Sequence, residues 1–122
     1  MKIGDAFLMS VPPRYIRHLY FVISDPSKHN GNFIIVNITG DRFRTGEECV
    51  LNVGDHQWIK KKSFVAFADA LELTPRQEQT IQNAVGKRVQ LQPCLSEAIL
   101  SKIIDAAKTT PAMPEKLKKY FG

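Results

Sequence analysis

Residues 18–39 read HLYFVISDPSKHNGNFIIVNIT, two β-rich apolar runs on either side of a turn. The first run is stopped by Ser24-Asp25-Pro26, because Asp caps its own backbone and Pro fixes its φ angle. Asn30-Gly31 is a strong hairpin signal, since both residues tolerate positive φ. The second run follows the turn directly. This stretch therefore predicts an antiparallel pair of strands, the second of which follows Asn30-Gly31.

Further short strands are predicted on both sides of this pair. Residues 6–9 form an apolar run that two prolines close, and prolines remove the donors that a strand ladder needs. Shorter apolar runs stand at residues 49–51 and 63–68, and residues 87–92 alternate polar and apolar side chains. Five short strands in the first part of the chain favour a small closed or half-closed β-barrel.

The hydrophobic period changes after residue 73, where a first helix is predicted. Thr74 is the expected N-cap, Pro75 occupies the first helical position, and Gln77 completes a weak capping box. The helix is expected to end at Gly86. Its apolar stripe is thin, so we expect it to lie on the surface.

A second helix is predicted from Ser96, with apolar residues at helical spacing up to Ala107, and is expected to dock on the barrel. Residues 115–121 predict a short basic helical turn or a tail. The 122 residues have the size of one domain. We assign the barrel and first helix to residues 4–86 and a C-terminal helical extension to residues 87–122.

Composition and charge limit the class of protein. Hydrophobic residues make up 43% and charged residues 24%, which excludes a disordered, collagenous or coiled-coil chain. No apolar run approaches the ~18 residues of a membrane span, and the first residues lack an apolar signal core. We therefore expect a cytoplasmic protein. The net charge of +5 favours anionic partners.

Several catalytic motifs are absent from the sequence. There is neither a GxGxxG nor a P-loop motif to cradle a nucleotide, and no elbow motif to expose a serine or cysteine nucleophile. There is no HExxH, and Cys49 and Cys94 stand in no CxxC pair, so a zinc site is improbable. We expect neither a metal ion nor a cofactor.

Two histidines are the candidates for proton transfer near neutral pH. His18 opens a predicted strand, and strand ends of a rigid barrel often carry reactive groups. His56 follows a tight turn at Gly54-Asp55. The alternatives are a half-exposed strand histidine and an ordinary turn histidine.

An aromatic residue and a cluster of cations follow His56. Trp58 offers a flat surface for a base, and Lys60, Lys61 and Lys62 offer positive charge. The alternative for the lysines is a solvated loop. An imidazole, cations and a stacking surface together are what cleavage of an RNA phosphodiester needs.

Four segments occur in a recognisable order: GDAFL at 4–8, HLYFVIS at 18–24, IIVNIT at 34–39 and FVAFAD at 64–69, before the helix start at Thr74. This order resembles that of the PemK/MazF-like toxins of type II toxin–antitoxin systems. The resemblance implies a mainly β fold, an SH3-like barrel with C-terminal helices, and a homodimer. It also implies a cognate antitoxin partner and metal-independent cleavage of single-stranded RNA to a 2′,3′-cyclic phosphate and a 5′-hydroxyl.

The resemblance places Thr39 on the family's threonine at the end of the third strand. The family's catalytic arginine lies six positions before the serine of its second strand, and this position is His18, with Arg17 one place earlier. A slip of one residue points Arg17 to the opposite face of the strand. We expect His18 or His56 to replace the arginine.

The resulting hypothesis assigns His18 as base or electrostatic stabiliser, His56 as its acid partner, and Thr39 with a cation to the phosphate oxygens. Arg17 and Lys62 are the candidate cations. The remaining substrate contacts are expected from Trp58, Lys60, Lys61, Arg42 and Arg44. Two alternatives stay open: a non-catalytic SH3-like binding module for protein or nucleic acid, and a toxin that acts on a protein.

Overall fold

The computed structural model describes residues 1–11, 16–40 and 49–122. In these ranges the strands are β1 Ala6–Val11, β2 Ile16–Val22, β3 Phe33–Thr39, β4 Val50–Leu51, β5 Ser63–Val65, β6 Leu71–Leu73 and β7 Val89–Gln92. Two α-helices follow the first six strands, α1 Pro75–Asn83 and α2 Glu97–Thr109. Short 3₁₀ turns occupy Pro26–Lys28, Phe67–Asp69 and Glu115–Tyr120.

The seven strands form one antiparallel sheet in the order β4-β5-β3-β2-β1-β7, with β6 also paired to β3. β3 is the centre of this arrangement, because β2 lies along one edge while β6 and β5 share the other. The mainly β class with helices after the sheet is confirmed. Within the described ranges no pairing joins β4 to β7, so the sheet is open and the predicted barrel closure is not seen.

Each face of the sheet carries its own apolar core, because alternate side chains of a strand point to opposite sides. On the α2 face, Phe21 of β2 belongs to the same buried cluster as Ile103 of α2. On the α1 face, Tyr20 of β2 belongs to the same cluster as Ile81 of α1. Successive side chains of β2 thus pack into different cores.

The local signals of the hairpin and the first helix are confirmed. Asn30 and Gly31 have φ angles of 57° and 86°, which are the positive values that the hairpin needs. Thr74 and Gln77 form a full capping box at the start of α1. Only Ile81 of this helix is buried, as the thin apolar stripe predicts.

The last third of the chain belongs to the same sheet and core as the first part. β7 pairs with β1, and Ser96 caps α2 through a hydrogen bond that its Oγ accepts from the backbone N–H of Ile99 at 3.3 Å. Met113 and Leu117 are buried in the α2-face core. None of the helices in the described ranges has the length and apolar run needed to cross a membrane.

One predicted strand is wrong in its extent. The apolar run 63–68 predicts a single strand, but β5 ends at Val65 and a 3₁₀ turn follows at Phe67–Asp69. Ala66 still continues the ladder with β3 by donating its N–H to the carbonyl of Asn37 at 2.8 Å. The chain turns after it, and β6 then pairs with the first half of β3. Three residues are too few for a periodicity signal, so β6 is absent from the sequence-based prediction.

Candidate functional site

A pocket with a volume of about 540 Å³ opens where β3 ends and the loop before β5 passes it. It is lined by His18, Ile38, Thr39, Gly40, Trp58, Ile59, Lys60, Lys61 and Ser63. Five of these are site residues predicted from the sequence: His18, Thr39, Trp58, Lys60 and Lys61. They come from three separate stretches of the chain, so the fold creates the pocket.

His18 and Thr39 reach the pocket because of the strand register. β2 and β3 pair with Tyr20 opposite Asn37 and Val22 opposite Ile35. Continuing this antiparallel register brings His18 opposite Thr39, and both then point to the same face of the sheet. Both side chains are half-buried. His18 and Thr39 therefore line the same pocket from neighbouring strands.

Trp58 and two of the three lysines also line the pocket. Trp58 is 38% exposed, which leaves its ring accessible to a flat ligand such as a base. Lys60 and Lys61 line the pocket, whereas the Nζ atom of Lys62 lies 5.8 Å from the ring centre of Phe64. The lysine cluster thus divides between the pocket and a neighbouring aromatic ring.

His56 does not line the pocket. It is 6% exposed; its Nε2 donates to the carbonyl of Pro93 at 2.7 Å, and its Nδ1 accepts the N–H of Trp58 at 3.1 Å. Its ring packs 5.8 Å from that of Phe21, whose side chain belongs to the α2-face core, whereas His18 points to the α1 face. The two imidazoles therefore do not converge, and both ring nitrogens of His56 are engaged in holding the loop.

Arg17 points away from the site. β2 already includes Ile16, so Arg17 lies inside the strand and pairs with Ser10 of β1. Its Nη1 donates to Oε1 of Gln90 at 2.8 Å. Neighbouring residues of a strand face opposite sides, so Arg17 and His18 diverge. Arg42 and Arg44 lie outside the described residues.

The charges around the pocket favour an anion. The lining includes the cationic residues Lys60 and Lys61, and its described residues include no Asp or Glu. Cations without an opposing carboxylate in a concave site raise the local concentration of negatively charged ligands. In the described ranges no three His, Cys, Asp or Glu side chains lie close enough together to hold a metal ion.

Four residues that line the pocket are absent from the sequence-based prediction: Ile38, Gly40, Ile59 and Ser63. A fifth residue, Tyr20, lies beside His18, and their rings form a T-shaped pair with 6.4 Å between ring centres. Burial, together with the negative charge of Asp69, raises the pKa of Tyr20. The i, i+2 spacing of His18 and Tyr20 on a predicted strand is the signal that could have found this pair.

Neither protein-family models nor curated protein sequences match this chain. The likeness to the PemK/MazF-like toxins therefore remains a resemblance in the order of short strand segments.

Proposed function

We propose that the pocket binds single-stranded RNA and cleaves it without a metal ion. The observation that carries this proposal is the convergence of His18, Thr39, Trp58 and Lys61 on one cavity. These side chains supply a proton acceptor, a hydroxyl, a stacking surface and a cation, the groups that phosphodiester cleavage needs.

In the proposed reaction the ribose 2′-hydroxyl attacks the adjacent phosphorus. His18 accepts the proton of that hydroxyl, while Thr39 and a lysine hold the non-bridging oxygens as negative charge develops. The bond from phosphorus to the 5′-oxygen breaks, and this oxygen takes a proton from a lysine ammonium or from water at the open mouth. The products are a 2′,3′-cyclic phosphate and a 5′-hydroxyl. His56 has no part in this scheme, because both of its ring nitrogens are bonded elsewhere.

The test is cleavage of single-stranded RNA by the purified protein in the presence of EDTA. Wild type is expected to produce 2′,3′-cyclic phosphate ends. His18→Ala should be slower by about 10²–10⁴-fold, the usual contribution of general acid–base catalysis. His29→Ala is the matched control, since His29 follows the 3₁₀ turn of the hairpin, at the other end of the β2–β3 pair. Intact RNA with wild type, or equal rates for wild type and His18→Ala, would contradict the proposal.

The proposal extends to an SH3-like arrangement, a homodimer and an acidic antitoxin, as the family resemblance implies. What supports the fold is the sharing of one edge of β3: β6 pairs with its residues 33–35 and β5 with residues 38–39. A sheet whose central strand pairs with two different strands along one edge has to bend between these two strands.

A second candidate is a binding module that holds single-stranded nucleic acid without cutting it. The observation that favours it is the single imidazole at the pocket, since two-histidine proton transfer is not available there. Binding of RNA that stays intact in the EDTA assay distinguishes this candidate from the nuclease.

A further inference from the structure

We infer that Lys61, lying over Gly40, is the cation that contacts the phosphate of the pocket's ligand, and that the missing side chain at residue 40 allows it to lie there. This inference rests on the proposed function to the extent that the ligand carries a phosphate.

The contact between Gly40 and Lys61 is close. A Cβ atom built at Gly40 would lie 3.3 Å from Cε and 3.4 Å from Nζ of Lys61. The end of the lysine side chain therefore lies beside the position that a side chain at residue 40 would occupy. This places the ammonium at the same end of β3 as the threonine.

The backbone of Lys61 is held in place from the next strand. The hydroxyl of Ser63 donates to the carbonyl of Lys61 at 2.9 Å, and Ser63 is buried and paired with Leu51 of β4. Ordering a lysine side chain costs conformational entropy. Because the backbone of Lys61 is already held, less conformational entropy is lost when this side chain binds a ligand.

The other two lysines are placed differently. Lys62 has its ammonium over the Phe64 ring and does not line the pocket. Lys60 lines the pocket, but Lys61 is the residue whose side chain Gly40 contacts. Lys62 therefore provides a control with the same charge, one residue away.

Gly40→Ala separates the position of Lys61 from its charge. The φ angle of Gly40 lies outside the left-handed region, and the added Cβ would meet the far end of a flexible side chain, which can move aside. We expect this variant to fold and to displace the ammonium.

The experiment measures binding of a fluorescein-labelled single-stranded DNA by anisotropy at several salt concentrations. DNA lacks the 2′-hydroxyl and cannot be cut by the proposed route, so binding is measured apart from cleavage. Each phosphate contact on a single strand contributes about 0.7 to the slope of log K against log salt. Lys61→Gln is expected to lower this slope by about 0.7, while Lys61→Arg and Lys62→Gln keep it. Gly40→Ala is expected to lower it by less, because the added Cβ moves the end of Lys61 by only a few tenths of an ångström.

Equal loss of slope in Lys61→Gln and Lys62→Gln would overturn the inference, as would an unchanged slope in Lys61→Gln or no binding by wild type. An unchanged slope in Gly40→Ala alone would overturn the role of the glycine. The RNA assay in EDTA distinguishes the two proposals. A slope that depends on Lys61 together with intact RNA overturns cleavage and leaves the inference standing. Cleaved RNA together with an unchanged slope in Lys61→Gln overturns the inference and leaves the cleavage proposal standing.

Discussion

The backbone N–H of Trp58 donates to Nδ1 of His56 at 3.1 Å, while Nε2 of the same ring donates to the carbonyl of Pro93 at 2.7 Å. A carbonyl only accepts and an N–H only donates, so the ring is neutral with its proton on Nε2. His56 thus ties the loop that forms one wall of the pocket to the segment between β7 and α2. It positions Trp58 without touching the cavity.

Replacement of His56 should therefore destabilise the protein and release the loop. His56→Ala removes two hydrogen bonds and the contact with Phe21, and we expect a loss of about 2–4 kcal/mol in the free energy of unfolding. Urea denaturation measures this loss. Trp58 is the single tryptophan, so its fluorescence reports on the loop directly, and the emission of the folded variant should shift. Gln57→Ala, at an exposed neighbour, should change stability by less than about 0.5 kcal/mol. Equal midpoints for His56→Ala and wild type would refute the positioning role.

Alanine substitutions at two glycines with nearly the same φ angle are expected to destabilise the protein by different amounts. Gly31 and Gly86 have φ angles of +86° and +85°, but a Cβ at Gly31 would lie 2.7 Å from Cγ of Pro75, whereas none at Gly86 would meet an atom within 4 Å. Both alanine variants should lose about 1–2 kcal/mol from the left-handed backbone. Gly31→Ala should lose about 1–3 kcal/mol more from the clash. Equal losses in chemical denaturation would contradict the contact between the hairpin and α1.

The raised pKa of Tyr20 predicts that the protein loses stability at alkaline pH. Burial, with a smaller contribution from Asp69, raises its pKa above the ordinary value of 10.0. The unfolded chain then releases the phenol proton at a lower pH than the folded protein does. The stability that Tyr20 contributes is therefore complete below pH 10 and falls as the pH rises from there through the folded-state pKa. The unfolding free energy of wild type minus that of Tyr20→Phe, measured from pH 8 to 11, should fall as the pH rises above 10. A constant difference across this range would be inconsistent with the raised pKa.

The position of Arg17 predicts that RNA cleavage does not depend on this arginine, in contrast to the family pattern. Its guanidinium bonds to Gln90 and diverges from His18, so Arg17→Gln should keep RNA cleavage within about twofold of wild type, the range of a surface change that leaves the site intact. Initial rates of wild type, Arg17→Gln and His18→Ala on the same RNA provide the measurement. A drop in Arg17→Gln as large as that in His18→Ala would return the catalytic role to the arginine.

Predictions from the sequence succeeded where a few neighbouring residues decide the structure. The hairpin at Asn30-Gly31, the capping box at Thr74 and the N-cap at Ser96 depend on local backbone angles and hydrogen bonds. The order of the early strands follows from apolar runs and turn residues. The extent of β5 and the existence of β6 depend on where distant parts of β3 offer an edge, and no local pattern contains that information.

Local residue patterns were enough to predict the two strands that carry His18 and Thr39 and a nearby basic, aromatic cluster. Which of these residues line one cavity follows from packing between distant segments: the end of Lys61 lies beside Gly40, while the His56 ring packs against Phe21. Strand register fixes the face of the sheet to which a side chain points, and the His56 ring is held by the carbonyl of Pro93, 37 residues further along the chain. No short stretch of sequence contains either of these contacts.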